Sequence, residues 1–198
     1  TLARAISDIL PKQISNGSGF AALPWPELPA FMSRLAEKPG MGALALQATI
    51  LTAARSGEIR GATWDELDFD DAVWTIPKER MKVRKLHKVP LSAEALQVFR
   101  RAAELRRGNT NLVFPNGKGE LLSDMTLTKC LRDMGESDTV HGFRSTFRDF
   151  VAEQLLDVPD EIAEAALAHT VSDKVMKAYK RTTFFEMRRS LMTTWGRF

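Results

Sequence analysis

The chain has 198 residues, enough for one substantial domain when domains run to roughly 150 residues, and a chain of this size buries about 70% of its unfolded surface without disulfide or metal. Its 44% hydrophobic and 27% charged residues are those of a globular protein and exclude disorder, collagen and coiled coil. The formal net charge is only +3, with a pI near 9.1, so a polyanionic partner has to be argued from where the charges lie, not from their sum. The most apolar stretch, Met41 to Ala54, contains Gln47 and Thr49 and falls short of the roughly 20 residues of a bilayer span. It predicts a buried helix. Arg4 and Asp8 interrupt the first ten residues, against a signal peptide. The single Cys130 excludes an internal disulfide and a Cys-rich zinc site and suits a reducing cytoplasm.

In chain order, residues 1–20 end in Asn16-Gly17-Ser18-Gly19, a polar stretch that reads as a linker from a preceding domain, with one domain over 21–198. A helix is predicted from Pro26 to Glu37, ended by Pro39-Gly40, and a second from Gly42 to Ala54. Ser56 is placed to cap a short third helix. The period then changes: Trp64 to Phe69, Val73 to Pro77 and Leu86 to Leu91 read as three short antiparallel strands, the first two joined at Asp70-Asp71. Ser92 opens a helix to Arg107 with Leu96, Phe99 and Leu105 as its apolar stripe. Asn116 to Gly119 is a turn, and Ser123 caps a helix to Met134. Phe143 to Leu155, Pro159 to Ala168, Ser172 to Tyr179 and Phe184 onward all read as helical. The predicted fold class is α+β, mainly α-helical with a small three-stranded antiparallel sheet.

Charge and chemistry concentrate in four segments. His141-Gly142-Phe143-Arg144 puts His and Arg three apart on one helical face, at a helix N-terminus suited to an anion. Arg55, between an apolar helix and a short one, offers a planar fork for two phosphate oxygens, although a pair with Glu58 explains it equally well. Lys78, Arg80, Lys82, Arg84, Lys85 and Lys88 crowd 11 residues in which Glu79 is the only acid. Such a face contacts solvent or phosphates, and one of its lysines can donate a proton if burial and neighbouring cations lower its pKa. His169 is followed ten residues later by Tyr179, the only tyrosine, and then by Lys180-Arg181. A tyrosine with a free pKa of about 10 needs basic neighbours to act as a nucleophile. His87 completes the histidines, but none has the paired spacing of a zinc site, so no metal is expected. The apolar residues of Phe184 to Phe198 exceed what one helix face needs, which fits docking on a neighbouring protomer as well as packing on their own domain.

Arg55, Lys82, His141-x-x-Arg144, His169 and Tyr179, in this order and spacing, resemble the catalytic set of the tyrosine recombinases, the phage integrase family. The segments "TAARSGEIRGATWDELD", "WTIPKERMKVRKLHKVPLS", "HGFRSTFRDF" and "LAHTVSDKVMKAYKRTTFFEMRRSLMTTW" resemble prophage and genomic-island integrases in particular. The resemblance implies the fold of that catalytic domain and site-specific cutting and rejoining of DNA through a 3′-phosphotyrosyl link, with no cofactor. In it Tyr179 is the nucleophile, Arg55 and Arg144 hold the scissile phosphate, Lys82 protonates the leaving 5′ oxygen (Lys85 being a competitor), His141 is the acid/base and His169 bonds the phosphate. Lys78, Arg80, Arg84, Lys85 and Lys88 are expected to contact double-stranded DNA. A homotetramer on attachment-site DNA, a directionality factor and a cytoplasmic setting without membrane follow from the same resemblance. The alternatives are a type IB topoisomerase, which uses the same residues, and a non-catalytic DNA-binding domain.

Overall fold

The computed structural model describes residues 21–106, 108–169 and 184–198. Residues 1–20, the predicted Ser172–Tyr179 helix and Arg107 lie outside the described residues. The centre is the helix α2 (Met41–Thr52), apolar on every side, in which every residue from Ala43 to Thr52 is buried. Its polar residues are satisfied internally, as burial requires. Thr49 and Thr52 hydroxyls donate to the carbonyls of Ala45 and Ala48 at 2.8 and 2.6 Å, and Gln47 donates to the Leu35 carbonyl at 3.3 Å. Around α2 pack α1 (Leu28–Ala36), α4 (Ala93–Glu104), α5 (Met125–Arg132) and the C-terminal α8 (Phe185–Arg197). Among the described residues no helix is long and apolar enough to cross a membrane.

The sheet is antiparallel, in the order β1 (Leu67–Asp68), β2 (Val73–Ile76), β3 (His87–Pro90), with Trp74 opposite Val89 and Ile76 opposite His87. Trp74 anchors it: fully buried, the indole lies 6.3 Å from the Phe99 ring on α4 and donates to Glu66 at 2.9 Å. The first strand is shorter than predicted because Trp64–Glu66 forms a 3-10 turn. The Asp68 carboxylate accepts from the amides of Asp70 and Asp71 at 3.1 and 2.8 Å and so builds the acidic turn.

Ser92 caps α4, accepting from the Ala95 amide at 3.2 Å. The buried stripe of that helix is Ala95, Val98, Phe99 and Ala102, whereas the predicted Leu105 is 47% exposed beyond the helix end. The other helices are α3 (Ser56–Arg60), α6 (Gly142–Gln154) and α7 (Asp160–Ala166).

The C-terminal helix resolves its two readings in favour of its own domain. Leu191, Met192 and Trp195 are buried, and Trp195 packs against Phe147 and Phe150 at 5.3 and 5.2 Å while its indole donates to the Ile50 carbonyl at 2.9 Å. Arg188 donates to the Lys88 carbonyl on β3 at 2.8 Å and Arg189 to the Asp71 carbonyl at 3.0 Å. Gly196 lies so close to Ser92 that a Cβ there would fall 2.3 Å from its hydroxyl. The surplus apolar surface thus covers α2, α6 and the sheet.

Candidate active site

Arg55 stands where α2 stops and α3 begins. Ala53 takes a left-handed conformation (φ 51°) that ends α2, and Arg55 is extended as the N-cap residue of α3. The cap is not Ser56, as predicted, but the Glu58 carboxylate reaching back. One oxygen accepts from the Arg55 amide at 2.8 Å and the other from its guanidinium at 2.9 Å. Glu58 is buried while the Arg55 side chain keeps 25% exposure, so the carboxylate fixes a guanidinium that still reaches solvent.

Arg144 comes from the first turn of α6. Gly142 is required beneath it, because the Ala21–Ala22 backbone crosses the helix there and a Cβ would lie 2.2 Å from the Ala21 carbonyl. The Thr146 hydroxyl donates to the Leu23 carbonyl at 2.6 Å and holds that segment in place. Arg144 is 5% exposed. Its Nη1 donates to the Ala53 carbonyl at 2.5 Å and its Nη2 to the Leu167 carbonyl at 2.7 Å, while its buried Nε has no partner among the described residues. Burial first, and then Arg55, pull its pKa down to about 10, so it stays charged at neutral pH.

His169 meets the same guanidinium. Its Nε2 lies 2.9 Å from Arg144 Nη2 and its Nδ1 2.7 Å from Glu164 Oε2. His141 is exposed at the N-cap of α6. Partial burial and then Arg144, Arg55 and His169 hold its pKa below the ordinary value. The four sequence-predicted residues Arg55, His141, Arg144 and His169 are therefore one electrostatic cluster, built from the ends of α2, α6 and α7.

A fifth residue belongs with them. His87 opens β3, and burial together with Arg188, Arg55 and Arg144 depresses its pKa to about 4, opposed by the backbone carbonyl of Ala166. It is a neutral imidazole beside three arginines. It lacks the paired spacing of a metal ligand, and its position depends on how β3 meets α7 and α8.

The cationic segment divides. Lys78, Lys82, Arg84, Lys85 and Lys88 are exposed on or beside the connection from β2 to β3, which the buried Met81 pins. Arg80 does not join them. Its Nε donates to Glu66 at 3.0 Å, its Nη2 to the same carboxylate at 2.5 Å, and its Nη1 to the Glu58 carbonyl at 2.9 Å. Arg80 braces the hairpin against α3, because Glu66 lies within its reach. Tyr179, with Lys180 and Arg181, lies outside the described residues.

The family model described as "Phage integrase family" matches residues 26–185. The integrase of Enterobacteria phage P4 is 34% identical over 196 residues, covering 89% of this chain and 44% of that protein. Prophage integrase IntA of Escherichia coli (strain K12) is 34% identical over 151 residues, covering 74% and 36% respectively. The chain thus spans less than half the length of these curated relatives. Among solved structures, XerA recombinase superposes with a TM-score of 0.63 at 14% identity, over 91% of this chain and 65% of that one. A lambda integrase(75-356) dimer bound to a COC′ core site does so with 0.57 at 20%, over 81% and 59%. The architecture is the tyrosine recombinase catalytic-domain fold, mainly helical with its small antiparallel sheet, and the chain belongs to the phage integrase family.

Proposed function

We propose that the chain is the catalytic domain, residues 21–198, of a site-specific DNA recombinase that integrates and excises a prophage or genomic island, residues 1–20 leading in from a preceding domain. The observation that carries this reading is the convergence of Arg55, His141, Arg144 and His169 from three helix ends into one cationic cluster. Two guanidinium forks, one partly exposed and one buried, suit a phosphodiester whose transition state gains charge on its non-bridging oxygens. The Tyr179 oxygen attacks phosphorus, His141 takes its proton, the bond from phosphorus to the 5′ oxygen breaks, and Lys82 protonates that oxygen. Attack by a second 5′-hydroxyl reverses these steps, so no external energy source is needed. The exposed Lys78, Arg84, Lys85 and Lys88 hold double-stranded DNA through its phosphates.

Fold relatives support assembly on DNA: a lambda integrase tetramer is bound to a Holliday junction and XerH to its difH substrate. By that likeness this chain works as a tetramer on attachment-site DNA in the cytoplasm, with a directionality factor setting the balance of integration and excision. In the test, the longer parent protein is incubated with two plasmids that each carry the attachment site. Recombinant product is expected without metal or nucleotide. Relaxation of supercoils with no exchange would overturn the recombinase reading in favour of topoisomerase chemistry.

A further inference from the structure

The hydrogen bonds of His169 determine where its ring proton sits. Arg144 Nη2 can only donate, so the His169 Nε2 at 2.9 Å must accept and carries no hydrogen. The proton of the neutral ring is then on Nδ1, which faces Glu164 Oε2 at 2.7 Å. Glu164 is itself held, since its other oxygen accepts from Arg148 Nε at 3.0 Å. The backbone repeats the arrangement. Ala168 turns left-handed (φ 51°) after α7, and the His169 amide returns to the Glu164 carbonyl at 2.9 Å, closing the helix end in the manner of a Schellman turn. Glu164 therefore holds His169 by both main chain and side chain.

We propose that Glu164 is a positioning residue for the phosphate pocket. It keeps the His169 proton on Nδ1, leaves Nε2 as the acceptor for Arg144, and so orients imidazole and guanidinium together before DNA arrives, with Arg148 holding Glu164 in turn. The inference rests on the recombinase reading only in taking Arg144 and His169 to act on the scissile phosphate. A carboxylate that fixes a histidine tautomer is a general device, and its loss slows a reaction by misplacing the proton, not by weakening substrate binding.

The test joins two measurements on the full chain. Nitrogen NMR of the 15N-histidine protein reads the tautomers directly; with three histidines, one His→Gln variant at each position assigns the rings. His169 is expected as the Nδ1–H form in the wild type, kept in Glu164→Gln, whose amide oxygen still accepts, and lost in Glu164→Ala. The single-turnover rate of cleaving a nicked duplex should fall on the order of 10- to 100-fold in Glu164→Ala with DNA affinity unchanged, and Glu164→Gln should recover most of it. A wild-type Nε2–H ring overturns the proposal, as does a Glu164→Ala variant that leaves either the tautomer or the rate unaltered. Failure of the longer parent protein to cleave at all would fell the recombinase reading instead, and the ring spectrum would still decide the role of Glu164.

Discussion

Arg144 donates to the Ala53 carbonyl at 2.5 Å across 91 residues of sequence, and with its bond to Leu167 it ties the C-terminal ends of α2 and α7 to the start of α6. The partial negative charge of helix C-termini, together with the Glu58 and Glu164 carboxylates, favours the charged form of a guanidinium that is only 5% exposed. Arg144 is thus a structural tie as well as part of the pocket. Arg144→Ala should lower stability by about 2–4 kcal/mol and DNA cleavage on the order of 100-fold or more. Arg144→Lys keeps the charge but lacks the fork and should recover only a small part of either. Urea unfolding and single-turnover cleavage of both variants check this; a fully active Lys variant would contradict it.

Glu58 does for Arg55 what the helix ends do for Arg144. With its oxygens on the Arg55 amide and guanidinium, it is both cap and counter-ion. Glu58→Ala should cost about 2–4 kcal/mol in urea unfolding, because it strips a cap and leaves a half-buried cation unpaired. Glu58→Gln, which keeps an acceptor, should cost clearly less. Equal losses would show that the charge alone matters.

His87 makes stability depend on pH. Its pKa falls from about 6.5 in the unfolded chain to about 4 in the fold, so between these values the unfolded chain binds more protons. Stability from this group is complete above pH 6.5 and is lost as pH falls toward 4, by up to about 3 kcal/mol. His87→Gln should flatten that part of the profile of melting temperature against pH. An unchanged slope would mean that another group is responsible.

The C-terminal helix is predicted to be part of the core. Trp195→Ala should cost about 3–5 kcal/mol, as emptying a large buried aromatic site does. Gly196→Ala should cost about 1–3 kcal/mol by driving a methyl into Ser92 and Glu94. Urea unfolding measures both. A wild-type midpoint for either would return the helix to the role of an arm that reaches a neighbour.

What the sequence made legible follows from how local each signal is. The all-round apolar run at Met41–Thr52, the Ser92 cap and the period change into the strands depend on nearest neighbours, and they read correctly. The order and spacing of Arg55, His141, Arg144 and His169 were readable through family resemblance, since their convergence is a property of helix ends far apart in the chain. What the sequence did not make legible depends on partners brought in by tertiary structure. Arg80 looked like its cationic neighbours until Glu66 came within reach. His87 looked idle until β3 met three arginines. Glu164 showed nothing in sequence beyond an acid five residues before His169. Leu105 fitted a helical stripe that ends at Glu104.

The proposed mechanism requires Tyr179 to become joined to DNA. A free phenol, with a pKa of about 10, is protonated at neutral pH, so attack requires the proton to leave as the bond forms; in the proposed mechanism Arg55 and Arg144 lower the charge on the phosphate. The direct measurement incubates the longer parent protein with a duplex nicked beside the attachment site, so that the cleaved end diffuses away and the intermediate is trapped. A denaturation-resistant protein–DNA adduct should form in EDTA, with its DNA on the peptide that contains Tyr179, and it should vanish in Tyr179→Phe. An adduct that survives Tyr179→Phe, or one that requires magnesium, would overturn the assignment of Tyr179 as nucleophile.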